Sequence, residues 1–139
     1  MNRIGSLLLM VLIFNLGCST TDRDYIWKER TVTASAYNST VAQTDGQPSI
    51  AAWGDTLLPE LKTIAVSRDL MRLGIERNTQ VKIEGLDGIY LVKDKMHYRW
   101  RNKIDIYMGL NVEKAREWGR KKVKIYYRVK KDSVTNGKL

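Results

Sequence analysis

Two aspartates of this 139-residue chain are placed where they could act together. Asp94 ends one candidate strand, and Asp105 lies inside another, where alternation puts Lys103, Asp105 and Tyr107 on one face. A desolvated carboxyl beside a second carboxylate keeps its proton near neutral pH, as a general acid for glycoside cleavage must. The spacing fits equally a solvated strand face on which Asp105 forms salt bridges with nearby basic residues, namely Lys103, Arg101 or Arg99.

The composition excludes several kinds of site. The chain has one cysteine and one histidine, so it cannot form an internal disulfide or a zinc site of the Cys/His type. Its length suits one small domain and leaves no room for separate cofactor and substrate domains. We therefore expect no metal and no cofactor. Any catalysis would depend on carboxylates, hydroxyls, amines or phenols.

Six short segments rich in β-branched and aromatic residues predict strands. They are Thr31–Tyr37, Thr63–Val66, Gln80–Glu84, Ile89–Lys93, Lys103–Tyr107 and Val123–Val129. The turn Gly85-Leu86-Asp87-Gly88 predicts that the third and fourth segments pair as a hairpin. Six short strands with one or two helices favour a mainly β fold closed into a small barrel, because closure removes exposed sheet edges.

One helix is well defined by its pattern. Asn111 is a candidate N-cap, Gly119 suits the C-terminal cap, and Val112, Ala115 and Trp118 share a face, so we expect Trp118 to pack in the core. A second helical turn is predicted from Ser67 to Leu73.

The long polar stretch between the first two strands is a candidate binding loop. It runs from Asn38 to Lys62, too long for an idle connection in a small domain. Trp53 lies between glycine-bearing turns of this loop and is either a stacking platform for a ligand or an anchor for the loop.

The N-terminal segment is typical of an exported protein. Arg3 precedes an apolar run from Leu7 to Phe14, too short to span a bilayer, and Cys18 follows in a pattern that resembles a bacterial lipobox. An ordinary signal peptide that happens to contain a cysteine is the alternative. We expect a signal peptide over 1–17, a lipid-anchored tether over 18–30, a barrel domain over 31–129 and a polar tail over 130–139.

Export and charge together limit the partners. Residues 94–131 contain thirteen Lys or Arg and four Asp or Glu, which favours an anionic partner, although a solvated basic face is also possible. Attachment to a membrane through lipidated Cys18 places the protein in the cell envelope and excludes nucleic acid. Ser19 favours the outer membrane, with the domain facing the periplasm.

The order of several short motifs resembles the 3D domain, a bacterial cell-wall family named for three aspartates and related to the C-terminal region of membrane-bound lytic transglycosylase A. The matching segments are Thr33-Ala34-Ser35-Ala36-Tyr37, Ile64-Ala65-Val66, Leu73-Gly74, Val81-Lys82-Ile83-Glu84-Gly85, Val92-Lys93-Asp94, Ile104-Asp105-Ile106-Tyr107 and Glu117-Trp118-Gly119-Arg120. Asp94 and Asp105 have the spacing of the family's second and third aspartates. Two positions differ: Ser67 stands where the first aspartate falls, and the bulky, basic segment 95–100 stands where the family has two glycines.

The resemblance implies a six-stranded double-psi β-barrel that cleaves the glycan strands of peptidoglycan between MurNAc and GlcNAc without water. Asp105 would be the catalytic acid and Asp94 its support, with Tyr37, Trp53, Lys95 and Tyr107 contacting substrate. In segment 95–100 and beside it, aromatic rings could stack on sugars while Lys95, Arg99 and Arg101 meet stem-peptide carboxylates, or Tyr98 and Trp100 could close the barrel mouth. The alternative function is an envelope lipoprotein that binds peptidoglycan without cutting it.

Overall fold

The structure is a computed structural model that describes residues 22–38, 50–58 and 60–131. Its strands are β1 (Tyr25–Tyr37), β2 (Thr63–Val66), β3 (Gln80–Ile83), β4 (Tyr90–Lys95), β5 (Lys103–Tyr107) and β6 (Lys121–Lys130). Its helices are α1 (Arg68–Met71) and α2 (Val112–Trp118), and a short 3-10 turn, Asp22–Asp24, precedes β1.

The six strands form a closed barrel in the order β1-β5-β2-β4-β3-β6. Two neighbouring pairs, β1 with β5 and β2 with β4, are parallel, and the other four are antiparallel. Parallel neighbours require the chain to cross over an end of the barrel, as a double-psi topology does. The predicted mainly β, six-stranded barrel with two short helices is confirmed.

The first strand is longer than the sequence pattern indicates. β1 begins at Tyr25, and its first six residues pair with β6 from Lys130 back to Ile125. The boundary expected at Arg30 therefore lies inside a strand, because polar and charged residues on a solvated strand face hide the period-2 signal. The signal peptide, Cys18 and the first part of the proposed tether lie outside the described residues, as does the tail beyond residue 131.

The barrel interior is filled by the alternate side chains that each strand points inward. β-Branched residues dominate this core, including the fully buried Ile64, Val92, Ile104 and Ile125. The intervening residues of β5, among them Asp105, face outward, as the alternation predicts. The hydrophobic pattern therefore fixes which face of each strand can carry a site.

Both predicted helices are present. The Asn111 side chain caps α2 by accepting a hydrogen bond of 2.9 Å from the Lys114 backbone N–H, and Gly119 (φ 64°) ends it. Trp118 packs partly against the core, as expected. Within the three described stretches, no helix is long and apolar enough to cross a membrane.

Candidate functional site

A row of residues across four neighbouring strands brings the two aspartates together. Asp105 of β5 and Asp94 of β4 are both register partners of Ala65 of β2, one on each side, and Ser35 of β1 pairs with Asp105. Their Cα atoms are therefore two strand spacings apart, about 9–10 Å. Because alanine has only a methyl group, the surface between the carboxylates stays open.

An irregularity in β4 determines that Asp94 takes this position. Thr63 pairs with Leu91 and Ile64 with Val92, but the register then shifts, so that Ala65 faces Asp94 and Lys93 is skipped. Such a bulge re-aims side chains at the rim of a barrel. With regular pairing, Lys93 would stand opposite Ala65.

The two aspartates line a groove of about 350 Å³ on the outside of the barrel. This volume is within the range usual for small-molecule sites, about 300–1,000 Å³. Its lining combines both carboxylates with aromatic and basic side chains: Tyr37, Ala65, Asp94, Lys95, Met96, His97, Trp100 and Asp105. We call this surface the aspartate groove.

Asp105 is held by a hydrogen bond and is partly removed from water. The Ser35 hydroxyl donates to Asp105 Oδ1 at 3.0 Å. Burial raises the pKa of the Asp105 carboxyl, and the negative charge of Asp94 acts in the same direction. The Ser35 hydrogen bond and the positive charges of Lys103 and Arg120 oppose these effects without cancelling them. Asp105 is therefore suited to hold a proton.

The salt-bridge alternative for Asp105 does not hold in the described part of the chain. No Lys or Arg nitrogen there lies within 4.0 Å of its carboxylate; the ion pairs found are Arg77–Asp55, Lys93–Asp55, Lys124–Glu29 and Arg128–Asp22. Arg101, one of the expected partners, instead donates to the Tyr98 carbonyl at 2.7 Å.

Asp94 is fixed by backbone donors, and one of them comes from the long loop. Its Oδ1 accepts hydrogen bonds of 2.8 Å from the backbone N–H groups of Ala52 and Lys95. The described part of the long loop thus contacts a groove residue. Gly46 and Pro48 of the same loop lie outside the described residues.

The two predicted tyrosines have different positions. Tyr37 lines the groove, and its buried hydroxyl has no hydrogen-bond partner among the described residues. Burial, together with the charges of Asp94 and Asp105, raises the pKa of Tyr37, so this hydroxyl remains a donor. Tyr107 is not part of the groove lining. It is buried against Ala51 and Leu57 of the loop, with its ring 5.4 Å from that of Tyr37.

Trp53 fits the anchor interpretation better than the platform. Its side chain is half-buried and packs against the core, and the groove lining does not include it. The Lys95 ammonium lies 5.7 Å from its ring centroid, so Trp53 contacts a groove residue through a cation–π interaction. Lys95 itself lines the groove.

Trp100 and Tyr98 do not close the barrel mouth. Trp100 is 42% exposed and Tyr98 61% exposed, and the Trp100 ring forms part of the groove wall. His97 also lines the groove, with its ring 4.3 Å from that of Tyr98, although no motif in the sequence predicts this position. The bulky segment that replaces the family's glycines therefore adds aromatic surface to the groove.

Ser67 and Asp69 lie near the position of the first aspartate of the 3D family. Their side chains accept hydrogen bonds from the backbone at the start of β5. Ser67 is fully buried, and its hydroxyl accepts from the Lys103 backbone N–H at 3.0 Å. Asp69 Oδ2 accepts from the backbone N–H of Asn102, whose φ of 47° is in the left-handed region. Neither side chain lines the groove.

Besides His97, the sequence argument missed Ser35, which holds Asp105, and Ala65, which lines the groove. Ser35 shares a strand face with Tyr37, but its pairing with Asp105 depends on two strands about 70 positions apart in the chain. Ala65 carries no chemical signal of its own. In the parts of the chain that the structure covers, no cluster of three His, Cys, Asp or Glu residues could hold a metal ion.

Comparison with known proteins gives a limited result. No protein-family model matches the chain, and no curated protein matches it, so the resemblance to the 3D domain stays a prediction. Two solved structures of an expansin from Clavibacter michiganensis are similar. The unliganded form has 17% identity and a TM-score of 0.49 and covers 75% of this chain and 52% of that chain. A point mutant in complex with cellohexaose has 14% identity and a TM-score of 0.38, with coverages of 72% and 49%.

This chain thus spans about half the length of either expansin. The assignment of the barrel rests on the strand pairing described above.

Proposed function

We propose that the aspartate groove binds glycan strands of peptidoglycan, and that the protein is a glycan-binding module of the cell envelope. The observation that carries this proposal is the placement of Asp94 and Asp105 on either side of Ala65. Two carboxylates can accept hydrogen bonds from sugar hydroxyls, and a small residue between them leaves space for the ring. The expected export and lipid anchor at Cys18 would bring this groove to the cell wall.

The remaining groove chemistry suits a carbohydrate. Trp100 offers an exposed ring for stacking against the apolar face of a sugar. Only Oδ1 of Asp94 is used by the Ala52 and Lys95 backbone, which leaves Oδ2 for a ligand.

Co-sedimentation of purified residues 19–139 with isolated sacculi tests this proposal. We expect Trp100→Ala to weaken binding by about five- to tenfold, because one exposed stacking ring is lost. Trp27→Ala is the matched control: Trp27 is 40% exposed and has the Lys82 ammonium over its ring, but it lies on β1 facing β6 and β3. Equal losses in both variants, or no binding by the unmodified protein, would contradict the proposal.

A second candidate function is cleavage of the bound strand, favoured by the raised pKa of Asp105. The Asp105 carboxyl would give its proton to the glycosidic oxygen as the bond to C1 of MurNAc breaks. The resulting carboxylate would then take the proton of the MurNAc 6-hydroxyl as that oxygen bonds to C1. The products are a 1,6-anhydro sugar and a free GlcNAc hydroxyl, so one carboxyl serves both steps and no water is consumed.

Mass spectrometry of digests of sacculi separates cleavage from binding alone. We expect the unmodified protein to release anhydromuropeptides at a pH between about 4 and 8, and Asp105→Asn to release at least about 100-fold less, while it still sediments with sacculi. Asp87→Asn, in the exposed turn between β3 and β4, is the isosteric control. Release that survives in Asp105→Asn would place the acid elsewhere, and no release at any pH would leave binding as the function.

A further inference from the structure

The side chain of Lys103, next to the aspartate groove, is largely buried, and its ammonium has no ion-pair partner in the described part of the chain. Lys103 is only 6% exposed, and its Nζ lies 3.9 Å from the ring centroid of Trp100. In the described residues no carboxylate lies within 4.0 Å of this nitrogen. Burial lowers the pKa of Lys103, and nearby Arg120 adds to that effect against the opposing charge of Asp105. A partly desolvated cation without a close counter-ion is costly, so it is a natural place for an anion to bind.

A second cation lies on the same tryptophan. The guanidinium of Arg120, which follows α2, is 5.9 Å from the Trp100 ring centroid. Arg120 is exposed and forms no ion pair with a described carboxylate. A guanidinium presents a planar pair of N–H donors that matches the two oxygens of a carboxylate.

These two cations are connected to the groove through the Trp100 ring. Lys103 precedes Asp105 by two residues on the outward face of β5, and Trp100 forms part of the groove wall. Of the basic residues that the sequence suggested for this role, Lys95 lines the groove itself. Arg101 instead donates to carbonyls of its own loop.

We propose that Lys103, Arg120 and Trp100 form an anion subsite beside the aspartate groove that selects glycan strands bearing carboxylates over neutral glycans. This inference rests on the proposed glycan-binding function and adds its substrate class. In peptidoglycan the carboxylate has two sources, the lactyl group of a muramyl residue without peptide and the acidic groups of an attached stem peptide.

The test compares three ligands of equal sugar length by titration calorimetry: neutral chito-oligosaccharide, peptide-free muramyl strands and peptide-bearing strands. We expect the unmodified protein to bind at least one carboxylate-bearing ligand about tenfold more tightly than the neutral one, as one charge-assisted contact would provide. Arg120→Gln and Lys103→Met should lose this preference and keep their affinity for the neutral ligand. Arg116→Gln, an equal charge change on the exposed face of α2, should keep the preference.

The outcomes separate this inference from the proposed function. Equal affinity of the unmodified protein for all three ligands would overturn the subsite and leave glycan binding intact. No affinity for any of them would overturn both. A disturbed barrel would make Lys103→Met weaken the binding of all three ligands equally. Arg120→Gln is then the deciding variant, because an exposed side chain can be changed without disturbing the barrel. An unaltered preference for carboxylate-bearing ligands in Arg120→Gln would also overturn the subsite. The relative affinity for peptide-free and peptide-bearing strands identifies the source of the carboxylate.

Discussion

Ala65 is the residue that makes a single groove out of two distant aspartates. It pairs with both Asp94 and Asp105, and it is buried beneath the surface between them. A longer side chain at this position would fill the space that a ligand needs. The chemistry of the site therefore depends on a residue with no functional group.

Asp105 should make folding stability depend on pH in a direction opposite to that of most carboxylates. Its pKa in the folded protein is raised above the ordinary 3.8, chiefly by burial, so the folded state binds more protons than the unfolded chain above that pH. The stability that this carboxyl contributes is present at lower pH and is lost as the pH rises through the folded pKa. Ionised Asp105 thus opposes folding near neutral pH.

We expect Asp105→Asn to match the unmodified protein in stability near pH 3 and to exceed it near pH 7. Between the unfolded and the folded pKa of Asp105, the difference in unfolding free energy between the two proteins should grow by at most about 1.4 kcal/mol per pH unit, which is the limit for one proton. Urea unfolding at several pH values measures it, with Asp87→Asn as the control for removal of a charge. A difference that stays constant with pH would show that Asp105 ionises alike in both states.

At the scale of elements, β1 both closes the barrel and contributes residues to the site. Its first part pairs with β6, and its last part, which carries Ser35 and Tyr37, pairs with β5. Ile26 packs against the core from the end of the strand that the sequence pattern assigns to a tether. The segment Tyr25–Arg30 is therefore part of the domain.

Removal of this segment should destabilise the barrel. We expect the free energy of unfolding of a chain that begins at Thr31 to be roughly 3 kcal/mol lower than that of a chain that begins at Asp22. The reason is that β6 loses six register partners and Ile26 leaves the core. The exposed β6 edge should also promote aggregation. Thermal unfolding of the two chains gives the comparison, and equal midpoints would show that residues 25–30 act only as a tether.

At the scale of the whole molecule, the basic charge and the acidic groove meet at one place. Lys95 and Trp100 belong to the groove wall, and Lys103 and Arg120 lie against Trp100. The aspartates that could bind or cut a sugar are thus surrounded by cations that could hold its acidic substituents. Three of the thirteen basic residues of 94–131, namely Lys95, Lys103 and Arg120, therefore lie in or beside the groove.

Local physical rules determined much of this protein from its sequence. Runs of β-branched and aromatic residues located β2 and β5 to the residue, and alternation placed Asp105 on an outward face. The turn glycines predicted the β3–β4 hairpin. All of these are short-range signals. The Asn111 cap and the Gly119 end of α2 follow from side-chain chemistry within one turn of helix. A closed barrel follows from the number of short strands that must avoid free edges.

Only the tertiary structure decided which residues share the groove. The pairing of β2 with both β4 and β5 joins segments far apart in the chain, and the register shift that selects Asp94 over Lys93 leaves no mark in the local pattern. The long extension of β1, the buried place of Tyr107 and the support of β5 by Ser67 likewise depend on what lies across the barrel. Sequence periodicity records which way a side chain points, but long-range pairing determines what it meets there.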